Sequence, residues 1–151
     1  MKRVYVDTSV FGGVFDKEFQ RASQDFFDQI KNGQFALITS AVVHEEIVPA
    51  PQEVKDFFGK MLPHAEVVDI TEDALKLRQA YLDAKIVSAK FSNDALHVAL
   101  ATVSDCMIIV SWNFKHIVHY QKIPLYNAVN ILHDYNQISI YSPWEVLKYE
   151  D

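Results

Sequence analysis

Three acidic residues stand at positions where a carboxylate could do chemistry. Asp7 directly follows a short apolar run, Glu46 lies beside an apolar helical stripe, and Asp94 falls in the first turn of a strongly apolar helix. Carboxylates that cluster repel one another and persist together only with a cation between them. Oxygen ligands with few histidines or thiols favour Mg²⁺ or Mn²⁺ over Zn²⁺. If the fold brings these residues together, we expect a divalent metal site.

Each of these carboxylates also has a simpler explanation. Asp7 and the two residues after it, Thr8 and Ser9, would suit a turn or a helix cap. Glu46 could be a boundary residue whose charge reaches solvent. Asp94 could simply occupy a helix N-terminus, where acidic side chains are stabilised. No single position is diagnostic, so the prediction of a metal site depends on the three residues meeting.

The surrounding sequence alternates between strand-like and helical patterns. Short runs rich in branched and aromatic residues predict strands, and apolar residues three and four apart predict helices. Four of the strands are apolar enough to lie inside a parallel sheet that is covered on both faces. The predicted strands are 4–6, 35–38, 67–70, 107–110 and 138–141, and the predicted helices are 16–31, 40–47, 51–61, 71–84, 92–103 and 127–135, with a C-terminal turn from 142.

The predicted topology puts the acidic residues on one edge of the sheet. In parallel α/β sheets, working groups gather beyond the carboxyl ends of the strands. Asp7 follows the first strand, Glu46 lies on the helix after the second, and the segment 111–116 follows the strand that ends at Val110. Thr39 or Ser40 can cap the helix that carries Glu46, which fixes where that helix begins.

Size and composition suit a single domain over residues 1–151. The chain has 151 residues, of which 50% are hydrophobic, enough to bury a core without disulfides. The one cysteine, Cys106, is interpreted as a small buried residue, and its lack of a partner favours a reducing compartment. The N-terminal apolar run is too short for a signal peptide, and no stretch suits a membrane span. We expect a cytoplasmic protein.

Four sequence blocks contain the acidic residues and the loop after the fourth strand. The blocks are Val4-Tyr5-Val6-Asp7-Thr8-Ser9, Glu45-Glu46-Ile47, Asn93-Asp94-Ala95-Leu96-His97 and Val110-Ser111-Trp112-Asn113-Phe114-Lys115-His116. Together they resemble the PIN-domain family, most closely the VapC-like toxins of bacterial and archaeal toxin–antitoxin pairs. Their order and spacing match over nearly the whole chain, and the third and fourth blocks are the most specific.

The resemblance implies a three-layer α/β/α sandwich with a central, mostly parallel sheet and an acidic metal site for Mg²⁺ or Mn²⁺. The family's first aspartate falls on Asp7, with Thr8 or Ser9 supporting it through a hydroxyl. The family's glutamate falls on Glu46, and its next aspartate falls on Asp94. The resemblance therefore assigns metal binding to these three carboxylates.

The fourth acidic position of the family is where this chain departs. The loop after the fourth strand offers Asn113 and His116 but no carboxylate, and Asp105 should lie at the opposite end of that strand. Asn113 could accept from a metal-bound water or supply its amide oxygen, but it brings no charge. A second metal would therefore be held more weakly.

The function that the resemblance implies is hydrolysis of RNA phosphodiester bonds by a metal-dependent endoribonuclease, the toxin of a toxin–antitoxin pair. It also implies a cognate antitoxin protein and a homodimer. The net charge of −6 argues mildly against a nucleic-acid partner. Against that, Lys115 and His116 follow the proposed site and could hold substrate phosphates. Trp112 could stack on a base, although a packed core tryptophan is the interpretation we favour.

Two other functions fit the same residues. One is a degenerate PIN domain that binds RNA or a protein without cleaving, which the missing fourth carboxylate motivates. The other is a phosphatase or a DNA-structure nuclease on a related sheet. His97, one turn after Asp94, could be a metal ligand, but a satisfied histidine beside the core is the interpretation we favour.

Overall fold

A five-stranded parallel sheet forms the centre of the molecule, which is described by a computed structural model over residues 1–148. Every neighbouring pair of strands is parallel, so the predicted α/β class is confirmed. The strand order is β3-β2-β1-β4-β5. The strands are β1 (Lys2–Val6), β2 (Phe35–Ser40), β3 (Ala65–Val68), β4 (Ile108–Val110) and β5 (Ser139–Tyr141).

Helices connect the strands in sequence. Short 3-10 turns precede β3 and the helix that carries Asp94. Within residues 1–148, no helix is both long and apolar enough to cross a membrane. The helices are α1 (Thr8–Gly13), α2 (Gln20–Lys31), α3 (Ala41–Ile47), α4 (Gln52–Met61), α5 (Glu72–Asp83), α6 (Ser92–Val103), α7 (Ile123–Leu132) and α8 (Pro143–Val146).

The helices cover the sheet in two layers. Helices α1, α2 and α4 pack together, and α5 packs with α6 and α7. Connections between parallel strands are right-handed. The path from β1 through β2 to β3 runs one way along the sheet, and the path from β3 to β4 and β5 runs the other way. The two paths therefore lie on opposite faces and leave a crevice between the ends of β1 and β4, where ligands bind in such sheets.

The core explains why the central strand is continuously apolar. Val4, Tyr5 and Val6 of β1 have no exposed surface, because β1 has a strand on either side and a helical layer over each face. Cys106 is buried as predicted, and burial raises the pKa of its thiol to about 12. A thiol with that pKa is protonated and unreactive at neutral pH.

Two helices differ from the sequence prediction. The helix predicted over 16–31 begins only at Gln20, and the unpredicted α1 precedes it. Gly12 and Gly13 give the α1 segment low intrinsic helix propensity, so α1 depends on packing. The helix predicted over 127–135 runs over Ile123–Leu132 instead, because Pro124 is well tolerated in a first helical turn.

The two glycines of α1 provide a test of how tightly its layer is packed. A Cβ at Gly13 would lie 2.6 Å from Ser23 Oγ and 2.7 Å from Trp112 Nε1, whereas a Cβ at Gly12 would meet nothing within 4 Å. We expect Gly13→Ala to lower the free energy of unfolding by about 1–3 kcal/mol. Gly12→Ala is the matched control and should raise it by up to about 1 kcal/mol. Urea unfolding measures both, and equal effects would contradict this packing.

Candidate active site

Asp7 is the first residue after β1 and stands at the N-cap position of α1. Its side chain makes no capping hydrogen bond. Instead, the Ser9 hydroxyl donates to Asp7 Oδ1 at 2.6 Å and the Ser111 hydroxyl donates to Oδ2 at 2.7 Å. Asp7 is 4% exposed, and burial raises the pKa of its carboxyl. Asp7 is therefore not a helix cap but a buried acid held by two hydroxyls from different parts of the chain.

The loop after β4 is fastened to Asp7 through the same two serines. The Trp112 backbone N–H donates to Ser9 Oγ at 2.9 Å, and the Asn113 N–H donates to Ser111 Oγ at 2.9 Å. Sequence reasoning singled out the segment 111–116 but did not identify Ser111 as a partner of Asp7. Its position directly after an apolar strand, like that of Asp7 itself, was the available signal.

Glu46 is held on the helix that follows β2. The side chain of Ser40 caps that helix by accepting the Val43 N–H at 3.3 Å. Glu46 Oε1 accepts hydrogen bonds from Thr8 Oγ1 at 2.7 Å and from His97 Nε2 at 2.6 Å. Burial raises the pKa of Glu46, but these two hydrogen bonds and the charge on His97 outweigh it, and the net pKa is lowered. Thr8 thus supports Glu46, while Ser9 supports Asp7.

His97 is buried and connects Glu46 to the core by hydrogen bonds. The sequence analysis favoured this placement, a satisfied histidine beside the core, over a metal ligand. The Tyr5 hydroxyl lies 2.7 Å from His97 Nδ1 and 2.7 Å from Ser40 Oγ. Burial lowers the pKa of His97, but Glu46, Asp7 and Asp94 together raise it above its ordinary value. In either protonation state Nε2 can carry the proton that Glu46 accepts, because Tyr5 can donate to Nδ1 or accept from it.

The hydrogen bonds along this chain of residues can all run in one direction. The Val43 N–H donates to Ser40, Ser40 can donate to Tyr5, Tyr5 to His97 Nδ1, and His97 Nε2 to Glu46. Every buried polar atom in the series then has a partner, as buried polar groups require. We call Ser40, Tyr5 and His97 the buried relay.

Asp94 lies in the first turn of α6, one helical turn before His97. Its side chain is partly exposed. Its charge acts to raise the pKa of His97, as do the charges of Asp7 and Glu46. It also acts to raise the pKa of His116, but the net pKa of His116 is lowered. Asp7, Glu46 and Asp94 thus all act on the charge of His97.

The donor set fits a hydrated Mg²⁺ or Mn²⁺ ion better than a fully protein-coordinated one. Among residues 1–148, no three or more His, Cys, Asp or Glu side chains form a group that could hold a metal ion. Mg²⁺, however, is usually bound by one or two carboxylates together with waters and substrate phosphates. Asp7 and Glu46 suit that role for two reasons. The charge of Glu46 acts to raise the pKa of Asp7. Within residues 1–148, both hydrogen bonds that the Glu46 carboxylate accepts reach Oε1, which leaves Oε2 available.

Asn113 closes the turn after β4, where the PIN-domain proteins that the sequence resembles carry a fourth acidic residue. Its Oδ1 accepts the His116 backbone N–H at 2.9 Å, so the amide oxygen is already engaged within the loop. Asp105 has a positive φ of 59° and precedes β4, at the end of the sheet opposite Asp7. The segment 111–122, between β4 and α7, therefore contains no carboxylate.

Two lysines and one histidine surround Phe91 beside Asp94. The His116 ring packs against Phe91 with centroids 4.0 Å apart, and Lys90 Nζ and Lys115 Nζ lie 5.6 Å and 5.7 Å from the Phe91 centroid. Burial and the charges of neighbouring cations, Lys115 among them, lower the pKa of His116. Both of its ring nitrogens are buried without a hydrogen-bond partner among residues 1–148. We call Lys90, Lys115 and His116 the basic cluster.

Comparisons with known proteins bear on the fold. No family model matches the chain, and no curated protein matches it. Solved structures do match. VapBC2 from Rickettsia felis, crystallised with a promoter DNA fragment, has a TM-score of 0.59 at 13% identity, with 93% of this chain and 98% of that chain covered.

Two further structures agree with the first. FitAcB from Neisseria gonorrhoeae matches with a TM-score of 0.60 at 11% identity, covering 95% of this chain and 99% of that chain. DNA-bound VapBC from Salmonella typhimurium matches with a TM-score of 0.59 at 14% identity, with the same coverage of 95% and 99%. The PIN-like fold expected from the sequence blocks is therefore confirmed at the level of architecture.

The buried relay can be tested through stability. Tyr5→Phe removes the hydroxyl that lies between Ser40 and His97 and leaves buried polar atoms without partners. We expect it to lower the free energy of unfolding by about 1–3 kcal/mol. Tyr120→Phe is the control, because Tyr120 is 79% exposed and its substitution should change stability by less than about 0.5 kcal/mol. A Tyr5→Phe protein as stable as the wild type in urea would refute the relay.

Proposed function

We propose that this protein is a metal-dependent endoribonuclease that uses Mg²⁺ or Mn²⁺, the toxin of a toxin–antitoxin pair. The observation that carries the proposal is the buried carboxylate of Asp7 at the crevice between β1 and β4, with Glu46 and Asp94 sharing His97 as a neighbour. Burial and the charge of Glu46 raise the pKa of Asp7, while His97 and the hydrogen bonds from Ser9 and Ser111 lower it, and the net pKa is raised. A divalent cation would offset the remaining cost of the negative charge.

Asp7, Glu46 and Asp94 are the residues that would hold the ion. When bound, Mg²⁺ or Mn²⁺ supplies Lewis-acid activation of water and neutralises charge on the phosphate. Ser9 and Ser111 fix the Asp7 oxygens, and hydrogen bonds from Thr8 and His97 fix the Glu46 carboxylate.

The reaction proposed is hydrolysis at phosphorus, in which water adds and the bond to the leaving oxygen breaks. Asn113 contributes by holding the loop after β4 against Ser111 rather than by adding a ligand charge. The basic cluster, which includes the predicted phosphate-binding residues Lys115 and His116, would hold substrate phosphates close to Asp94 through its two lysines, because both ring nitrogens of His116 are buried. The positive charge of the lysines answers the objection raised by the net charge of −6, since an approaching substrate responds to the local potential.

The partners that this function implies are an RNA substrate, an antitoxin protein and a second copy of the chain. The solved structures of similar fold support the antitoxin, because the VapBC and FitAcB assemblies share this architecture over almost the whole chain. The cytoplasm is where an RNA-cleaving toxin would act.

A second candidate function is RNA or protein binding without cleavage. It is favoured by one specific observation: Asn113 replaces the acidic residue after β4, and its amide oxygen is engaged in the loop. The two functions share the binding surface and differ in whether phosphodiester bonds are broken.

Asp7→Asn tests the metal site. We expect it to lower Mn²⁺-dependent cleavage of single-stranded RNA by about 100-fold or more, since a catalytic metal contributes several kcal/mol. It should also abolish the stabilisation by Mn²⁺ in thermal unfolding, which is about 2.7 kcal/mol for the wild type at a hundred times the dissociation constant. Asp105→Asn is the matched control, because Asp105 lies at the other end of the sheet and asparagine tolerates its positive φ.

The outcomes of this experiment separate the two functions. Mn²⁺-dependent cleavage that is lost in Asp7→Asn and kept in Asp105→Asn supports the nuclease. Binding of RNA without cleavage by the wild type supports the second candidate. Cleavage that persists in Asp7→Asn or in excess chelator would contradict the metal mechanism.

Lys115→Gln tests the basic cluster. Each phosphate contact on single-stranded nucleic acid adds about 0.7 to the slope of log affinity against log salt. We expect Lys115→Gln to weaken RNA binding and to reduce that slope by about this amount. Lys60→Gln, an exposed lysine on α4, is the control and should leave the slope unchanged. Fluorescence anisotropy over a salt series measures both variants, and identical slopes would remove Lys115 from the phosphate-binding surface.

A further inference from the structure

Helix α7, which runs over Ile123–Leu132, carries no charged residue on either of its sides. Its inner side packs on the core through Tyr126 and Val129, which are buried. Its outer side faces solvent. A helix that lacks charge all round is normally buried on all sides. The solvent-facing side of α7 is therefore a surface that needs a partner.

The exposed residues of α7 form one continuous apolar stripe. Their spacing places them within an arc of about 120° at 3.6 residues per turn. Leu125 is 49% exposed, Ile131 is 53% exposed and Leu132 is 78% exposed. We call the five exposed apolar residues the α7 stripe: Pro124, Leu125, Ala128, Ile131 and Leu132.

The neighbouring helix shows what an ordinary solvent-facing side looks like in this protein. Helix α5 packs beside α7, and its exposed side carries charges such as the ion pair between Glu72 and Lys76. The α7 stripe exposes roughly 450 Å² of apolar surface without such an interruption. An apolar patch of that size on a single chain often marks an interaction site.

The α7 stripe is symmetric about Ala128. Leu125 and Ile131 lie three residues before and after it, and Pro124 and Leu132 lie four residues before and after it. When two antiparallel helices cross at a two-fold axis, each residue meets the residue equally far beyond the crossing point. Apolar side chains of the two copies would therefore meet along the whole stripe. Two alanines would face each other at the crossing and let the helix axes approach closely.

Electrostatics and area favour the same occupant. An antiparallel pair sets the positive N-terminal end of one α7 beside the negative C-terminal end of the other. A stripe without charges offers no charge pattern that would select a different protein. Two stripes and the rims around them would bury roughly 1,000 Å² in all, which is the lower limit for a specific interface. A second copy of the chain meets each of these conditions.

We propose that α7 is a self-association surface, on which a second copy of this chain docks antiparallel about a two-fold axis at Ala128. The modest area predicts a reversible dimer with a dissociation constant in the micromolar range. The α7 stripe contains none of the residues assigned to metal or phosphate binding. The inference therefore goes beyond the proposed function and does not depend on it.

A cysteine at the crossing point tests the geometry. Axes of packed helices lie about 8–10 Å apart and each Cα lies about 2.3 Å from its axis, so the two Cα atoms of residue 128 would lie about 4–5 Å apart. A disulfide spans that distance. We expect Ala128→Cys to form a covalent dimer under mild oxidation, measured by non-reducing electrophoresis and intact mass. Lys60→Cys is the control, because Lys60 is exposed on α4 in the other helical layer. Cys106 is buried, so the wild type should not crosslink.

Glutamate substitutions test the affinity. In a two-fold contact each substitution is present twice, so Ile131→Glu places two charges in the apolar interface. We expect Ile131→Glu, and separately Leu125→Glu, to raise the dimer dissociation constant about tenfold or more. Sedimentation velocity at micromolar concentrations measures it. Met107→Glu is the matched control, because Met107 is 58% exposed but lies outside the stripe, next to β4. Near-ultraviolet circular dichroism checks that each variant keeps the fold.

The outcomes decide between a second copy and other occupants. A covalent dimer in Ala128→Cys and weaker association in Ile131→Glu, with both controls unaffected, support the contact. Equal crosslinking of Ala128→Cys and Lys60→Cys overturns it, and so does a dissociation constant that Ile131→Glu leaves unchanged. A monomer that sediments with anionic phospholipid vesicles through the α7 stripe overturns it in favour of a membrane surface. None of these readouts involves RNA, so failure of this inference and failure of the nuclease are distinguishable.

Discussion

The burial of one charge at the crevice between β1 and β4 constrains much of this molecule. A carboxylate removed from water is costly unless hydrogen bonds or a cation compensate for it. Asp7 obtains two hydrogen bonds, one from Ser9 at the start of α1 and one from Ser111 at the end of β4. Those serines also accept the backbone N–H groups of Trp112 and Asn113. The loop after β4 therefore takes its position from the need to satisfy Asp7.

A second network connects the site to the core. The buried relay runs from the cap of α3 through Tyr5 on β1 to His97 on α6, and it ends on Glu46. Elements from both helical layers and from the two central strands thus meet at one carboxylate. The negative charges of Asp7, Glu46 and Asp94 favour the protonated form of His97, and in that form His97 offsets part of their negative potential. This arrangement lets three acids share one edge of the sheet within a stable fold.

The same edge of the sheet also carries positive charge. Net charge alone, at −6, describes the protein poorly, because Lys90 and Lys115 lie around Phe91 beside Asp94. The turn in which Asn113 accepts the His116 backbone N–H sets the position of Lys115. Asn113 therefore shapes this surface and adds no charge to the candidate metal site.

The sequence by itself determined most of the elements and their order. Apolar strands, the cap Ser40 and the placement of acids after strands are local signals, and the structure confirms that cap. These signals depend on residues within a few positions of one another, which is why they could be predicted. The motif blocks further pointed to Asp7, Glu46 and Asp94 as a set, whose role in metal binding stays a prediction.

Only the tertiary structure decided which groups touch. The pairing of Ser111 with Asp7 joins residues 104 positions apart, and that of Tyr5 with His97 joins residues 92 positions apart. No local pattern encodes such contacts, because a serine or tyrosine next to an apolar run has many satisfactory environments. Helix α1 was missed for the same reason, since its glycines disfavour a helix locally and packing against Ser23 and Trp112 supplies what propensity lacks.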